Sequence, residues 1–213
     1  WEAEDGNIEH QLLAFLRAFA ADRWPILGDK SHFNGFLHRL DVPSSGLVLM
    51  AKTYEAYRDL ELQLNAGCIA RDYVVLCHGW VSPGRAELRT RLAWQKEQCG
   101  PSASAPSRAG AASGRPCLTW VKVLAHSFLR GEATSLLALR IATGRRHQIR
   151  AQTAHVGHPV AGDGKYASSA TASFDRIWCC WHFLHRYRLA FADGTDVSYE
   201  VLAPLPQARL EAL

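Results

Sequence analysis

The chain has 213 residues, of which 48% are hydrophobic and 21% charged, and its formal net charge at pH 7 is +4. This composition is ordinary for a globular protein with a sizeable core, and it excludes collagen-like and largely disordered chains. No apolar run reaches the roughly 18 residues that a membrane-spanning helix needs, so the sequence predicts a soluble protein without a membrane partner.

The first part of the chain alternates helical and strand patterns. Apolar residues at helical spacing predict an amphipathic helix near residues 7–21 that packs on the core. The apolar run Leu47–Ala51 predicts a short strand, and Thr53 as an N-cap and Gly67 as a stop delimit a second predicted helix. The apolar and β-branched run Tyr73–Val81 then predicts a buried strand.

Residues 99–116 are rich in Gly, Ala, Ser and Pro and predict a flexible surface insertion. After it, strand patterns around 119–123 and 137–141 precede a helix predicted over about 146–156. Two further strands are expected at 186–191 and 197–202. The pattern indicates one α+β domain over 1–213, with a mixed, mostly antiparallel sheet and flanking helices.

The basic residues are unevenly distributed. From Gln98 to Gly162 the chain has eight Lys and Arg residues and a single acid, Glu132. Such a stretch favours a polyanionic partner, because each cation that neutralises a phosphate releases counterions. A solvated basic face without a partner is the alternative.

The six cysteines form no Cys-x-x-Cys pair, and Cys179 and Cys180 are adjacent. This spacing predicts neither a zinc site nor a disulfide framework, and it favours free thiols in a reducing compartment, the cytoplasm or an organelle. The first residues show no targeting segment, so the sequence leaves the compartment unknown. No cofactor or metal and a monomeric state are expected.

Two segments contain candidate functional residues. In HRLDVPSSGLVLMAK, from His38 to Lys52, Asp41 stands where a loop meets the predicted strand. In ATGRRHQIRAQTAHVGHPVAGDGKY, from Ala142 to Tyr166, basic residues fall at the start of a predicted helix, where free N–H groups favour phosphate. Taken alone, an Asp before a Pro-Ser turn is more often a capping or turn residue, and the helix also fits an amphipathic helix with a solvated basic face.

Together these segments resemble the RluA-type pseudouridine synthases, whose members have His-Arg-Leu-Asp-x-x-Thr-Ser-Gly followed, about a hundred residues on, by Gly-Arg-x-His-Gln-Ile-Arg. The segment CIARDYVVLCHGWV, Cys68 to Val81, looks like a third family segment. The resemblance covers roughly Phe36 to Pro206. It implies an enzyme that isomerises particular uridines of rRNA or tRNA to pseudouridine, with RNA as its partner.

The resemblance also implies residue roles. Asp41 matches the catalytic carboxylate, Tyr73 the active-site tyrosine that packs on the extruded base, and Arg150 the arginine paired with the aspartate. Arg39 matches a residue that fills the gap left by the flipped nucleotide. The remaining candidates for RNA contacts are Arg145, Arg146, His147 and Lys52.

Departures from the family pattern keep an alternative open. Val42, Pro43 and Ser44 differ from the usual residues after the aspartate, and Arg146 and Gln152 replace a usual Thr and His. A catalytically inactive RNA-binding relative of the same fold is therefore the second hypothesis.

An unrelated hydrolase or metal enzyme is the third hypothesis. His155-x-x-His158 and His182-x-x-His185 have no accompanying cysteine or carboxylate set. Gly162-Asp163-Gly164-Lys165 lacks the first Gly and the final Ser or Thr of a phosphate-binding loop.

Overall fold

The computed structural model describes residues 7–20, 22–94, 107–110, 113–195 and 197–213. Two 3-10 segments, Pro25–Gly28 and Lys30–Gly35, lead towards the segment with Asp41. Within these ranges, no helix is both long and apolar enough to cross a membrane. The α-helices are α1 (Asn7–Ala20), α2 (Tyr54–Ala66), α3 (Gln148–His155), α4 (Ser169–Asp175) and α5 (Gln207–Leu210).

Eight strands of the described ranges form one sheet, in which β1 and β7 are parallel and the other neighbours antiparallel. The order is β1-β7-β2-β6-β5-β3-β4, and β8 also pairs with β7. The predicted α+β class is confirmed. The strands are β1 (Ser45–Gly46), β2 (Ala70–His78), β3 (Glu87–Trp94), β4 (Ser107–Ala109), β5 (Arg115–Leu129), β6 (Glu132–Ile141), β7 (Leu184–Ala192) and β8 (Ser198–Leu202).

The centre of the sheet supports the largest core cluster. Alternate residues of β2, beginning with Tyr73, join a buried cluster that includes Leu139 of β6 and Ile149 of α3. Successive side chains of a strand point to opposite faces, so Asp72 faces the other side. The α3 helix therefore lies over the face of the sheet that Tyr73 occupies.

The boundaries of α2 are set by local chemistry. The Thr53 hydroxyl accepts a hydrogen bond from the Ala56 backbone N–H at 3.2 Å, which satisfies a free donor of the first turn. Gly67 ends the helix at φ +76°, a left-handed conformation that glycine adopts readily. Both predicted boundaries are confirmed.

The strand predicted over Leu47–Ala51 is wrong in its position. The chain forms only the two-residue strand β1, which pairs with His185 and Arg186. A Cβ on Gly46 would lie 2.3 Å from the Arg186 carbonyl oxygen, so this close approach requires glycine. After Leu47 the chain leaves the sheet, and Met50 forms only an isolated bridge to Phe36.

Two other predictions need correction or remain partly outside the described residues. The predicted helix near 7–21 exists as α1, but Phe15 and Phe19 are 58% and 75% exposed rather than packed in the core. Of the predicted insertion 99–116, residues 99–106, 111 and 112 lie outside the described ranges. The remainder includes strand β4 and the start of β5.

Candidate active site

Asp41 and Arg150, predicted to pair, are brought together by the fold. An Arg150 Nη1 hydrogen donates to Asp41 Oδ2 at 3.2 Å, although 109 positions separate the two residues. The Asp41 side chain is 19% exposed, whereas that of Arg150 is 4% exposed. The carboxylate is therefore accessible from solvent while its cationic partner is covered.

The Arg150 guanidinium is held from its other edge by Asp163. Arg150 Nε and Nη2 donate to Asp163 Oδ2 and Oδ1 at 2.6 and 2.8 Å, a bidentate pair of the geometry that arginine favours. Burial opposes ionisation of Asp163, but the Arg150 hydrogen bonds outweigh it and lower the Asp163 pKa. Hydrogen bonds to Asp163 likewise outweigh burial and raise the Arg150 pKa.

The helix α3 that positions Arg150 is buried on nearly every side. Polar residues in such a helix need partners. Gln148 is one such residue, and its amide oxygen accepts hydrogen bonds from the Thr143 hydroxyl at 2.7 Å and from the Arg145 backbone N–H at 3.1 Å. Gln152 is another, and its amide oxygen accepts a hydrogen bond from the Thr119 hydroxyl at 2.6 Å. These bonds fix the rotation of α3 and the direction of Arg150.

His147, predicted to contact RNA, lies beside Asp41. It adopts φ +52° just before α3, which starts the helix later than the predicted residue 146, and its ring is buried. His147 Nε2 lies 3.9 Å from Asp41 Oδ1, and its Nδ1 is 3.0 Å from the Tyr166 hydroxyl. Burial lowers the His147 pKa to about 4 against the opposing effect of Asp41, so the ring is neutral near pH 7.

A second buried histidine completes the surroundings of Asp163. His182 Nε2 lies 3.8 Å from Asp163 Oδ1, and its Nδ1 is 3.5 Å from the Ser44 hydroxyl in the segment that follows Asp41. Burial lowers the His182 pKa to about 4. Neutral imidazoles thus adjoin both carboxylates.

Tyr73 is linked to the Asp41 segment through Arg186. Arg186 Nε and Nη2 donate to the Tyr73 hydroxyl at 2.8 and 2.6 Å, and Nη1 lies 2.7 Å from His38 Nδ1. Arg186 Nη2 also donates to the Arg39 carbonyl oxygen at 3.4 Å. Tyr73 therefore adjoins the residues that precede Asp41, and its hydroxyl is hydrogen-bonded to Arg186 rather than to the Asp41 carboxylate.

The other residues predicted to contact RNA are mostly at the surface. Arg39 and Arg145 are exposed, and Arg146 is half-buried. Lys52 is also exposed, but its Nζ lies over the Trp24 ring at 4.7 Å from the centroid. Arg39 and Arg145 adjoin the segments that hold Asp41 and Arg150.

Sequence inspection missed three groups of the site: Asp163, His182 and Arg186. Asp163 is fully buried. It belongs to Gly162-Asp163-Gly164-Lys165, the segment that lacks the first Gly and the final Ser or Thr of a phosphate-binding loop. The available signal was its place as the first acid after the basic stretch Gln98–Gly162. His182 and Arg186 had no signal of this kind. Among the described residues, no group of three or more His, Cys, Asp or Glu is arranged to hold a metal ion.

Comparison with known proteins connects this geometry to a family. The sequence model of the RNA pseudouridylate synthase family matches residues 21–155. Ribosomal large subunit pseudouridine synthase D of Neisseria meningitidis serogroup A is 33% identical over 181 residues, covering 81% of this chain and 45% of that protein. Ribosomal large subunit pseudouridine synthase C of Escherichia coli K12 is 30% identical over 190 residues, covering 85% and 56%. The chain thus spans about half the length of these relatives.

Solved structures show the same fold. Human RNA pseudouridylate synthase domain containing 1 has a TM-score of 0.67 and 24% identity, covering 88% of this chain and 76% of that one. Human RNA pseudouridylate synthase domain containing 4 has a TM-score of 0.64 and 18% identity, covering 90% and 81%. Since the family model matches more than half of the residues of this chain, the chain belongs to the RluA-type RNA pseudouridylate synthase family.

Proposed function

We propose that this chain is a catalytic domain that isomerises uridine in RNA to pseudouridine, with Asp41 as its catalytic carboxylate. The observation that carries the proposal is the contact between Asp41 and the buried Arg150 guanidinium, in a chain of the pseudouridine synthase family. The relatives named ribosomal large subunit pseudouridine synthases favour ribosomal RNA over transfer RNA as the substrate.

The reaction balances without an oxidant or a second substrate. The C1′–N1 bond of uridine breaks, the C1′–C5 bond forms, C5 loses a proton and N1 gains one. Asp41 either attacks C1′ or removes a proton from C2′, and both routes require an accessible carboxylate. Arg150 holds one carboxylate oxygen in place, which pre-orients Asp41 for the reaction.

The surroundings of Asp41 suit an extruded nucleotide. A uridine inside stacked RNA must leave the stack before its C1′ can be reached, and an aromatic side chain stabilises a base outside the stack. We assign that role to Tyr73, which is joined through Arg186 to the backbone of Arg39. The exposed Arg39 and Arg145 are proposed to contact the RNA around the extruded nucleotide.

Release of tritium from RNA labelled at C5 of uridine tests the proposal. The purified chain should release tritium from ribosomal RNA, and Asp41→Asn should lower the rate by at least about 100-fold, a typical loss for a positioned acid or base. Glu87→Gln, the same acid-to-amide change at a surface residue that pairs with Arg89, is the control.

An RNA-binding relative without catalytic activity is the second candidate. It is favoured by the residues Val42, Pro43 and Ser44, which depart from the family pattern directly after Asp41. Equal tritium release by the unmodified chain and Asp41→Asn, together with intact RNA binding, would establish this alternative and overturn the proposed activity.

A further inference from the structure

Two arginines near Tyr73 are buried without a carboxylate partner. Arg71 and Arg186 are only 4% and 3% exposed. Arg186 donates to neutral acceptors, which include the Tyr73 hydroxyl and the Leu47 carbonyl oxygen at 2.9 Å. Within the described part of the chain, Arg71 has no hydrogen bond or ion pair, and its Nε is buried without any partner.

The Arg71 guanidinium lies close to the candidate active site. A Cβ on Gly144 would lie 2.7 Å from Arg71 Nη1, so the guanidinium is close to the turn before α3. Arg71 also acts electrostatically on His38, three residues before Asp41, and on Arg186. Its location thus adjoins the segments of both Asp41 and Arg150.

An uncompensated pair of buried guanidinium groups is energetically unfavourable. Removing each charge from water carries a desolvation penalty unless an opposite charge offsets it. Two other arginines of the sheet do have such a partner, since Arg140 and Arg188 both pair with Asp72 on the opposite face. Burial accordingly lowers the Arg71 pKa, whereas hydrogen bonds to Asp72 raise that of Arg140.

We propose that Arg71, with Arg186 beside it, forms an anion site that takes a phosphodiester group of the bound RNA, next to the extruded nucleotide. A guanidinium binds phosphate through paired N–H donors, and a phosphodiester supplies the negative charge that the described residues around Arg71 lack. Because so little of Arg71 is exposed, the adjoining turn at Gly144 must shift slightly when the phosphate enters. The inference rests on the proposed function only in taking RNA as the ligand.

The test measures binding of a short, fluorescently labelled, uridine-rich RNA oligonucleotide as a function of salt concentration. Arg71→Gln should weaken binding and reduce the slope of log K against log salt by about 0.7, the value for one phosphate contact in a single strand. Arg140→Gln removes the same charge from an arginine that already pairs with Asp72, and its slope should equal that of the unmodified chain.

Thermal unfolding without RNA separates a ligand site from a structural role. Arg71→Gln should be at least as stable as the unmodified chain, because the substitution removes a buried, unpaired charge. Arg71→Lys, which keeps the charge, should retain most of the salt slope. A slope for Arg71→Gln equal to that of Arg140→Gln, or a marked loss of stability in Arg71→Gln, overturns the site.

The tritium assay distinguishes this site from the proposed activity. Suppose that the unmodified chain releases no tritium but that Arg71→Gln reduces the slope of log K against log salt by about 0.7. The proposed activity is then wrong, and the phosphate site is supported. If the unmodified chain is active and Arg71→Gln keeps the full slope, the site fails and the activity stands. Absence of any RNA binding by the unmodified chain also overturns the site.

Discussion

Asp163 determines how the Arg150 guanidinium meets Asp41. The bidentate pair engages Nε and Nη2, which leaves Nη1 to donate to Asp41. Asp163→Asn removes the charge of a fully buried partner and preserves its shape. Breaking one side of such a pair typically costs about 3–5 kcal/mol. We expect a loss of that size in the free energy of unfolding by urea and slower tritium release under single-turnover conditions.

The matched substitution is Glu87→Gln, because Glu87 pairs with Arg89 at the surface. Surface pairs contribute little, since water already solvates both charges. Glu87→Gln should change neither stability nor tritium release. An Asp163→Asn chain with unaltered stability and rate would show that Arg150 is oriented by α3 packing alone.

At the scale of elements, the short helix α5 reaches the segment that follows Asp41. Arg209, only 7% exposed, donates from Nη2 to the carbonyl oxygens of Pro43 and His182, each at 3.1 Å. One guanidinium thus joins α5 to two segments of the site. Arg209→Gln should lower the single-turnover rate of tritium release by up to about 100-fold, the loss that a misplacement of about 1 Å can cause. RNA affinity should remain unchanged because Arg209 faces the protein.

Arg176→Gln is the control for α5, because Arg176 is exposed and donates only to the nearby Ser173 hydroxyl. It should leave both rate and affinity unaltered. If Arg209→Gln lowers the affinity and the rate in equal proportion, Arg209 contributes to RNA binding rather than to the position of the Asp41 segment.

For the whole molecule, buried histidines predict a loss of stability in mild acid. Burial lowers the pKa of His38 to about 3 and those of His147 and His182 to about 4. In the unfolded chain these rings take up protons below about pH 6.5. The contribution of these histidines to the free energy of unfolding should therefore be constant above that pH and fall between about 6.5 and 4, by up to about 1.4 kcal/mol per pH unit for each ring.

Urea unfolding at a series of pH values measures this slope. His182→Asn should reduce the dependence of the free energy of unfolding on pH by the contribution of one histidine. His155→Gln, at an exposed position, should leave this dependence unaltered. A free energy of unfolding that stays constant down to about pH 5 would contradict the predicted histidine contribution.

Several parts of the molecule could be predicted from local patterns. Thr53 and Gly67 delimit α2 because capping depends on neighbouring backbone groups. The apolar alternation around Leu139 predicted β6 because strand periodicity is local. Asp41 and Arg150 were found because each belongs to a long motif of the family. The pairing of these two residues was implied by that resemblance, whereas their 3.2 Å contact is a property of the fold.

Tertiary structure decided the partners. Asp163 and the distant Asp41 both contact the Arg150 guanidinium, and Arg186 holds Tyr73 although 113 positions separate them. The same packing turned His147 towards Asp41 and placed the short strand at Ser45–Gly46 instead of the predicted Leu47–Ala51. A side chain's own sequence segment sets its backbone geometry and spacing. The packing of the elements decides which distant charge a side chain contacts. The helical and strand patterns of the sequence are local, so they do not identify that partner.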